Sequence, residues 1–341
     1  MKKKNLLSGG RRDYVLSFGI VIVAFIIVQA LIATGNITSS LKGQLVPICA
    51  YVVMAVSLNL TVGVLGELSL GHAGFMSVGA FAGVVVTTSL TDAIPFAPLR
   101  LAIAMVVGGL LAAIAGVIVG VPVLRLKGDY LAIVTLAFGE IIKNIVNVLY
   151  IGRDADGLHV SLLQQNFELG DGGKMVINGP MGVTGVMKIS TFTTGFVLIL
   201  ITLFLVLNFM HSRTGRAVMA LRDNAIAAES TGIPITHYKL LAFVVSAAFA
   251  GMAGTLYAMN FSTVTAAKFD FNTSILILVF VVLGGLGNIW GSVISAAVLT
   301  VLPELLRAVR DYRMLIYAIV LILIMLFNNS QLKERLLEKR K

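Results

Sequence analysis

Long apolar runs dominate the chain, and short polar stretches separate them. A helix that crosses a bilayer needs roughly 20 apolar residues. By this measure the pattern predicts ten membrane spans, two of them formed by dividing the uncharged run 271–303 at Gly284–Asn288. The other eight are expected at 15–33, 44–65, 68–90, 101–124, 130–150, 192–210, 240–260 and 314–327. The sequence therefore predicts an all-α polytopic membrane protein.

Two longer polar segments interrupt this pattern. Residues 151–191 are rich in glycine and are expected to form an exposed loop on the outer side. Residues 212–239 fit two short helices, with Thr214 capping the first, Asn224 capping the second and Gly232 ending it. We interpret these helices as a cytoplasmic surface that docks a partner protein. The alternative is an amphipathic loop that lies on the lipid headgroups.

The composition agrees with lipid as the solvent. The chain is 58% hydrophobic and 12% charged, whereas soluble chains are about one quarter charged. A net charge of +10 suggests nucleic acid as a partner. However, the basic residues cluster at the termini and in the segments between apolar runs, which is typical of membrane topology signals. We therefore expect membrane lipid and no nucleic acid as a partner.

The distribution of lysine and arginine predicts that both termini are cytoplasmic. Ten spans place the termini on one side, and 16 of the 26 basic residues then fall in cytoplasmic segments, with nine on the opposite side. The basic cluster at 307–313 opposes this assignment mildly. The predicted organisation is a basic N-terminus at 1–13, a membrane domain at 14–330 and a basic tail at 331–341.

No enzyme site emerges from the sequence. Gly173–Lys174 is followed by methionine rather than the serine or threonine of a phosphate-binding loop, and the four histidines lack metal-ligand spacing. Cys49 is the single cysteine, so an internal disulfide is excluded. We predict no catalytic site, no metal and no cofactor. If the protein moves a solute uphill, the energy would then come from an ion gradient or from another subunit.

Few ionisable residues interrupt the apolar runs. Secondary transporters usually hold such residues at mid-membrane to bind a coupling ion. Glu67 falls at a predicted turn and is expected at the interface. Glu140 and Lys143 are three residues apart on a helix and can pair with each other. Because ionisable residues are scarce in the apolar runs, the sequence favours an energy source in another subunit. An ion-coupled transporter that uses Glu67, Glu140 or His72 is the alternative.

The motif GELSLGHAGF at 66–75 is the other candidate for the translocation pathway. Ser69, Gly71 and His72 are costly in lipid unless they face protein or a water path. The alternative is that they only pack helices together around a satisfied histidine. The third and fourth predicted spans are also rich in glycine and alanine, which lets helix backbones approach closely.

Several motifs occur together in one order. They are GELSLGHAGFMSVGAFAG, RLKGDYLAIVTLAFGEIIKNI, SRTGRAVMALRDNAIAAESTGI with HYKLLAFVVSAAFAGMAGTLYA, and VVLGGLGNIWGSVISAAV. From about residue 45 to 327, the chain resembles the LivM-type permeases of branched-chain amino acid ABC importers. The resemblance implies a type II ABC importer permease-like bundle of about ten helices in a bacterial or archaeal plasma membrane.

The resemblance also implies partners and a site. Such importers pair two permeases with two cytoplasmic ATP-binding subunits and an external substrate-binding protein. Their coupling helices lie between spans six and seven, where the segment 212–239 falls. It assigns coupling to Gly215, Arg216, Ala220, Arg222, Asn224, Ala227, Ala228, Glu229 and Gly232. The expected solutes are branched-chain or other hydrophobic amino acids, and close relatives carry urea or short amides.

Overall fold

The computed structural model describes residues 6–35, 38–124, 129–154, 157–165, 167, 173–305, 318–319 and 322. The helices are α1 Leu6–Ala33, α2 Ser39–Asn59, α3 His72–Ser89, α4 Ala97–Val123, α5 Asp129–Asn147, α6 Phe192–His211, α7 Arg213–Asp223, α8 Ala225–Ser230, α9 Ile235–Ala258, α10 Phe271–Gly284 and α11 Ile289–Leu305. A π-helical turn, Leu60–Leu65, continues α2.

The prediction of an all-α polytopic membrane protein is confirmed. Within the described residues, seven helical segments are long and apolar enough to cross a bilayer, and two shorter apolar helices, Phe18–Ala33 and Ile289–Glu304, accompany them. These nine segments correspond to the first nine predicted spans. The tenth predicted span, 314–327, lies almost wholly outside the described residues.

Helix α2 occupies the centre of the bundle. Thirteen of its residues, from Leu45 to Asn59, are buried, and α6, α9, α10 and α11 pack against it. Helix α11 runs antiparallel to α2, because Asn59 hydrogen bonds Ser292 at one end and Ser40 hydrogen bonds Glu304 at the other. A helix that protein surrounds in this way cannot move without its neighbours.

Helices α3, α4 and α9 pack through small residues, as the glycine content predicted. A Cβ on Gly79 of α3 would overlap the backbone of Gly251 in α9, and a Cβ on Gly108 of α4 would overlap Thr255. The Thr255 hydroxyl also donates to the Gly79 carbonyl at 2.8 Å. Such contacts require the helix backbones to touch, so the three helices form one closely packed unit.

The segment predicted as a loop contains a β-sheet. Strands β1 Leu149–Asp154, β2 Gly157–Leu162 and β3 Lys174–Asn178 form an antiparallel sheet in the order β2-β1-β3. Strand β4, Val183–Thr184, pairs with β5, Thr263–Val264. The loop prediction was incomplete and span five was predicted too long, because short strands among glycines owe their pairing to distant partners rather than to local pattern.

The bundle has two distinct ends. The sheet lies at one of them, where Arg153 of β1 pairs with Asp92 beyond the end of α3 at 2.7 Å. We name this the sheet end. Helices α7 and α8 lie at the opposite end of α6, and we name that the platform end. Phe25 of α1 stacks on Phe192 and Phe196 at the start of α6, so α1 finishes at the sheet end.

Substituting Gly79 with leucine tests the close packing of α3 and α9. The new side chain would have to displace the Gly251 backbone, so we expect a loss of about 1–3 kcal/mol in stability. Thermal unfolding of the purified protein in detergent measures the loss. Gly19→Leu is the matched control, because nothing lies within 4 Å of a Cβ at Gly19. Equal stability of the two variants would contradict the packing.

Candidate coupling platform and solute path

Helix α7 begins directly where α6 ends. Ser212 serves both helices, because it follows the last turn of α6 and its Oγ accepts from the Gly215 amide at 3.1 Å. The predicted cap, Thr214, was therefore wrong by two residues, since the chain turns at Ser212 rather than after it. Gly215 lies against the Phe209 and Met210 carbonyls, where a Cβ would overlap. The sharp corner therefore needs glycine at this position.

Helix α8 is capped as the sequence predicted. Asn224 is extended, with φ −159° and ψ 102°, and its Oδ1 accepts from the Ala227 amide at 3.0 Å. This cap separates α7 from α8 and sets the angle between them. Gly232, with φ +88°, follows the end of α8 and turns the chain into α9.

The two short helices bury one face and expose the other. Val218 and Leu221 of α7 and Ala228 of α8 are buried, and Val218 packs with Leu60, Val64 and Leu65 at the end of α2 and with Ala242 of α9. The opposite face is open. Its exposed residues include Arg216, Asp223, Ile226, Ala227 and Glu229.

Ile226 is the most unusual member of the open face. It is 82% exposed on a helix that otherwise presents polar and small residues. Only Ala228 turns inward, because α8 has fewer than two turns. An aliphatic side chain held in this exposed position is available to a partner.

Arg222 ties α7 to the end of α2. Its Nη1 donates to the Gly63 carbonyl at 2.8 Å, and its Nε and Nη2 donate to Asp223 Oδ1 at 3.3 and 3.1 Å. Gly66 closes the π-helical turn in a left-handed conformation, with φ +82°, and a Cβ there would lie 2.6 Å from Arg222 Cγ. The guanidinium therefore holds two elements together.

Asn59 joins the end of α2 to the glycine-rich turn between α10 and α11. Its Oδ1 accepts from the Gly287 amide at 2.8 Å, and its Nδ2 donates to the Asn288 carbonyl at 3.1 Å and to Ser292 Oγ at 2.9 Å. The side chain is fully buried. Both polar atoms of the amide are thus satisfied by one turn, which favours a single arrangement.

These contacts form one connected group. A Cβ on Gly63 would overlap both Asn59 Oδ1 and the Gly287 amide, and the Gly63 carbonyl receives Arg222. We name Asn59, Gly63, Arg222, Gly287 and Asn288 the latch. It connects α7, α2 and the turn before α11 within a few ångströms. Sequence reasoning missed Asn59, although an amide inside an apolar span signals a polar contact between helices.

Glu67 is the predicted pathway residue that lies at the platform end. It follows the π-helical turn and forms an ion pair with Lys239 in the first turns of α9. Both side chains are largely buried, with 16% and 15% exposure. The predicted turn at Gly66–Glu67 is confirmed, and this ion pair fastens it to α9.

An extended break separates α2 from α3. The prediction that a span begins at residue 68 was wrong, because α3 begins at His72. Side chains of two other helices support the break and the start of α3. The Leu70 amide donates to Thr135 Oγ1 of α5 at 3.1 Å, and the Ala73 amide donates to Ser274 Oγ of α10 at 3.1 Å. In lipid such a break persists only where protein supplies these partners.

Ser69, Gly71 and His72 come together at this break, inside the bundle. Ser69 and His72 are 1% and 2% exposed. His72 Nε2 lies 2.8 Å from Ser57 Oγ of α2, and Gly71 fits against the Thr135 carbonyl, where a Cβ would overlap. Through His72 and Gly71, the start of α3 thus forms a junction with α2 and α5.

Glu140 lies beside this junction. It pairs with Lys143 one turn later on α5, as the spacing predicted. A Cβ built on the neighbouring Gly139 would lie 3.2 Å from the Gly71 Cα. Both members of the pair are partly exposed, at 33% and 20%. Four of the five pathway candidates thus cluster around the start of α3, whereas Glu67 belongs to the platform end.

The described residues contain no group of three or more His, Cys, Asp or Glu side chains that could hold a metal ion. The arrangement provides a mechanical connection between the surface and the interior of the bundle. A small surface helix pair is fastened, through hydrogen bonds and close backbone contacts, to two interruptions in the membrane helices.

A polytopic helical bundle with two such interruptions and an attached surface platform is a membrane transport protein in architecture, and the comparisons agree. The profile of the family described as "Branched-chain amino acid transport system / permease component" matches residues 40–325. The chain belongs to this family. No solved structure gives a significant match.

Individual relatives support the same family. The chain is 35% identical over 287 residues to the high-affinity branched-chain amino acid transport system permease protein LivM of Salmonella typhimurium, and equally to that of Escherichia coli. The matched region covers 81% of this chain and 66% of each LivM protein, which is less than two thirds of their length. The L-arabinose ABC transporter permease AraH of Azospirillum brasilense is 29% identical, over 80% of this chain and 74% of its own.

Replacing Asn59 with alanine tests the latch. The Gly287 amide and the Asn288 carbonyl would lose their partner, and a buried polar group without one costs about 1–3 kcal/mol. We expect lower thermal stability and faster hydrogen exchange at Gly287. Asn260→Ala is the matched control, because the Asn260 amide makes one exposed hydrogen bond, to Gly43. Unchanged exchange in Asn59→Ala would show that the latch does not hold the turn.

Proposed function

We propose that this chain is the transmembrane permease subunit of an ATP-binding cassette importer for branched-chain or other hydrophobic amino acids. Its partners would be a second permease, two cytoplasmic ATP-binding subunits and an external substrate-binding protein. The family and the names of the LivM relatives support the solute class. Urea or short amides are the alternative solutes within the same class of importer.

The observation that carries the proposal is the attachment of α7 and α8. A headgroup-bound loop has no need for hydrogen bonds to the interior, yet Arg222 donates to Gly63 at the end of the central helix. Asn59, one helical turn earlier, binds the turn between α10 and α11. A push on the open face of α7 and α8 would therefore reach α2, α10 and α11 through short, stiff contacts.

The proposed orientation places the platform end in the cytoplasm of a bacterial or archaeal cell and the sheet end outside. Arg213, Arg216, Arg222 and Lys239 lie between α6 and α9 at the platform end. Helix α1 finishes at the sheet end, so its first turns, whose sequence includes Arg11 and Arg12, lie on the platform side. Both features follow the excess of Lys and Arg in cytoplasmic segments of membrane proteins.

The proposed contact with the second permease is the open face of α5. That face includes Ala137 and Asn144 among isoleucines, and the Glu140–Lys143 pair lies beside it. The open face of α4 over residues 101–121 is aliphatic throughout, which suits lipid. A solute path between two permeases would run along the more polar face, next to the break that ends at His72.

The proposed mechanism is a change between two arrangements of the break. Closure of the ATP-binding subunits would shift α7 and α8, and the latch would pass the shift to α2 and to the turn before α11. The contacts at Leu70, Ala73 and His72 would then exchange partners and open the junction. The closely packed group α3, α4 and α9 would move as one body, because packed interfaces switch between discrete states.

Uptake measurements test the solute and the energy source. We expect membrane vesicles that contain the chain with its ATP-binding partners to accumulate labelled leucine only with ATP. Uptake that persists without those subunits, or that collapses with the ion gradient at constant ATP, would contradict the importer and favour ion coupling. ATP-dependent uptake of urea without leucine would retain the importer and replace the amino acid.

Substitutions on the open face of α8 test docking. Ile226→Glu and Glu229→Arg should reduce co-purification of the ATP-binding subunits by about tenfold or more, since losing an interface anchor costs about 2 kcal/mol. Stability should not change, because both side chains are exposed. Val160→Glu is the matched control, as an aliphatic residue 63% exposed at the sheet end. Full ATPase binding and transport in both variants would remove α8 from the docking surface.

A further inference from the structure

A cavity of about 520 Å³ opens at the sheet end, between the end of α3 and strands β1, β3 and β4. It lies apart from the platform and from the break at His72. Small-molecule sites in proteins commonly enclose about 300–1,000 Å³. The proposed path for a solute begins at this end of the bundle, so the chemistry of the cavity wall matters.

The wall is divided between an aliphatic floor and a charged rim. Val84 of α3, Val176 of β3 and Val183 of β4 line the cavity and are 2–4% exposed, so they form its floor. Asp92, Arg153 and Lys174 also line it. The Asp92 side chain is 80% exposed and Lys174 is exposed, which places them at the mouth.

The charged side chains at the mouth are unevenly paired. Arg153 pairs with Asp92 at 2.7 Å and also donates to the Thr88 carbonyl. Asp154, the other acid of the wall, lies 2.9 Å from His159 Nε2 and accepts a hydrogen bond from the Gly157 amide at 3.2 Å. Lys174 is opposite Arg153 in the β1–β3 register and makes no ion pair in the described structure. Among the described residues, Lys174 is therefore the charged group of the mouth that has no ion-pair partner, which favours a carboxylate ligand.

A buried hydroxyl on the same wall also lacks a partner. Thr87 lines the cavity and is 4% exposed, and its Oγ1 makes no hydrogen bond to any described residue. Buried polar atoms are nearly always hydrogen-bonded, so an orphaned one indicates a ligand or an ordered water. The cavity thus offers an unpaired cation, a partly available carboxylate, an unused hydroxyl and an aliphatic floor.

We propose that this cavity is a low-affinity entrance site for the zwitterion of an aliphatic α-amino acid. The α-carboxylate would bind Lys174, the α-ammonium would bind Asp92, and the alkyl side chain would lie on the valine floor. This inference rests on the proposed function for its orientation. A rim that only docks a substrate-binding protein would not need the aliphatic floor. Protection by a free amino acid, measured without any binding protein, distinguishes the two occupants.

Protection of an introduced cysteine tests the site. Thr184 lines the cavity and is exposed, and the chain's single cysteine, Cys49, is buried. Thr184→Cys should therefore react with a charged thiol reagent over a low background. We expect millimolar L-leucine to slow this reaction in the full chain reconstituted in lipid nanodiscs, without any binding protein. Thr193→Cys, exposed at the same end but outside the cavity, should react at an unchanged rate.

Charge variants sharpen the result. Adding Lys174→Glu should weaken protection by leucine about tenfold or more, since a lost charge-assisted hydrogen bond costs about 1.5–3 kcal/mol. Lys42→Glu is the matched control, because Lys42 is an exposed cation that does not line the cavity. Protection should also need both charges of the ligand, so 4-methylpentanoate and 3-methylbutylamine should protect far less than leucine.

Three outcomes would overturn the proposal: no protection of Thr184→Cys by leucine, equal protection of Thr193→Cys, or equal protection by 4-methylpentanoate. The first would be consistent with a rim that serves protein docking only. These outcomes are distinguishable from failure of the proposed function, because ATP-dependent leucine uptake is measured separately. Uptake without protection would remove the entrance site and keep the importer.

Discussion

Every backbone amide and carbonyl that lies in lipid must find a partner within the protein, and this constraint organises the bundle. Continuous helices meet it by themselves, but this chain interrupts its helices at Gly66–Gly71 and at Gly285–Asn288. Each interruption survives because side chains from other helices complete its hydrogen bonds. Thr135 and Ser274 serve the first, and Asn59 serves the second.

This requirement makes the interruptions depend on one another. Asn59 completes the second interruption from the helix that leads into the first, and Gly63 and Gly287 touch because neither has a side chain. Arg222 adds the surface helix α7 to the same group. A helix break is a place where a bundle can change shape, and here both breaks are connected to the surface helix α7. The contacts that stabilise the two breaks in lipid thus extend to the surface helices on which a partner could act.

Much of the fold could be predicted from the sequence, since the lengths and compositions of apolar runs depend only on neighbouring residues. The cap at Asn224, the Glu140–Lys143 pair and the turn at Gly66–Glu67 are local and were predicted correctly. The errors concern non-local contacts. Strand β4 pairs with β5 far along the chain, and α3 starts late because α5 and α10 support an extended break.

The sequence by itself determined the membrane class, the helical architecture and the position of the polar segment between α6 and α9, because each follows from local hydrophobic pattern and capping residues. Only the tertiary structure decided that Arg222 and Asn59 hold two helix breaks together and that Lys174, Asp92 and three valines surround one cavity. These residues are separated by tens to hundreds of positions in the chain. No local sequence pattern specifies which distant residue will provide the hydrogen-bond partner of a given polar group.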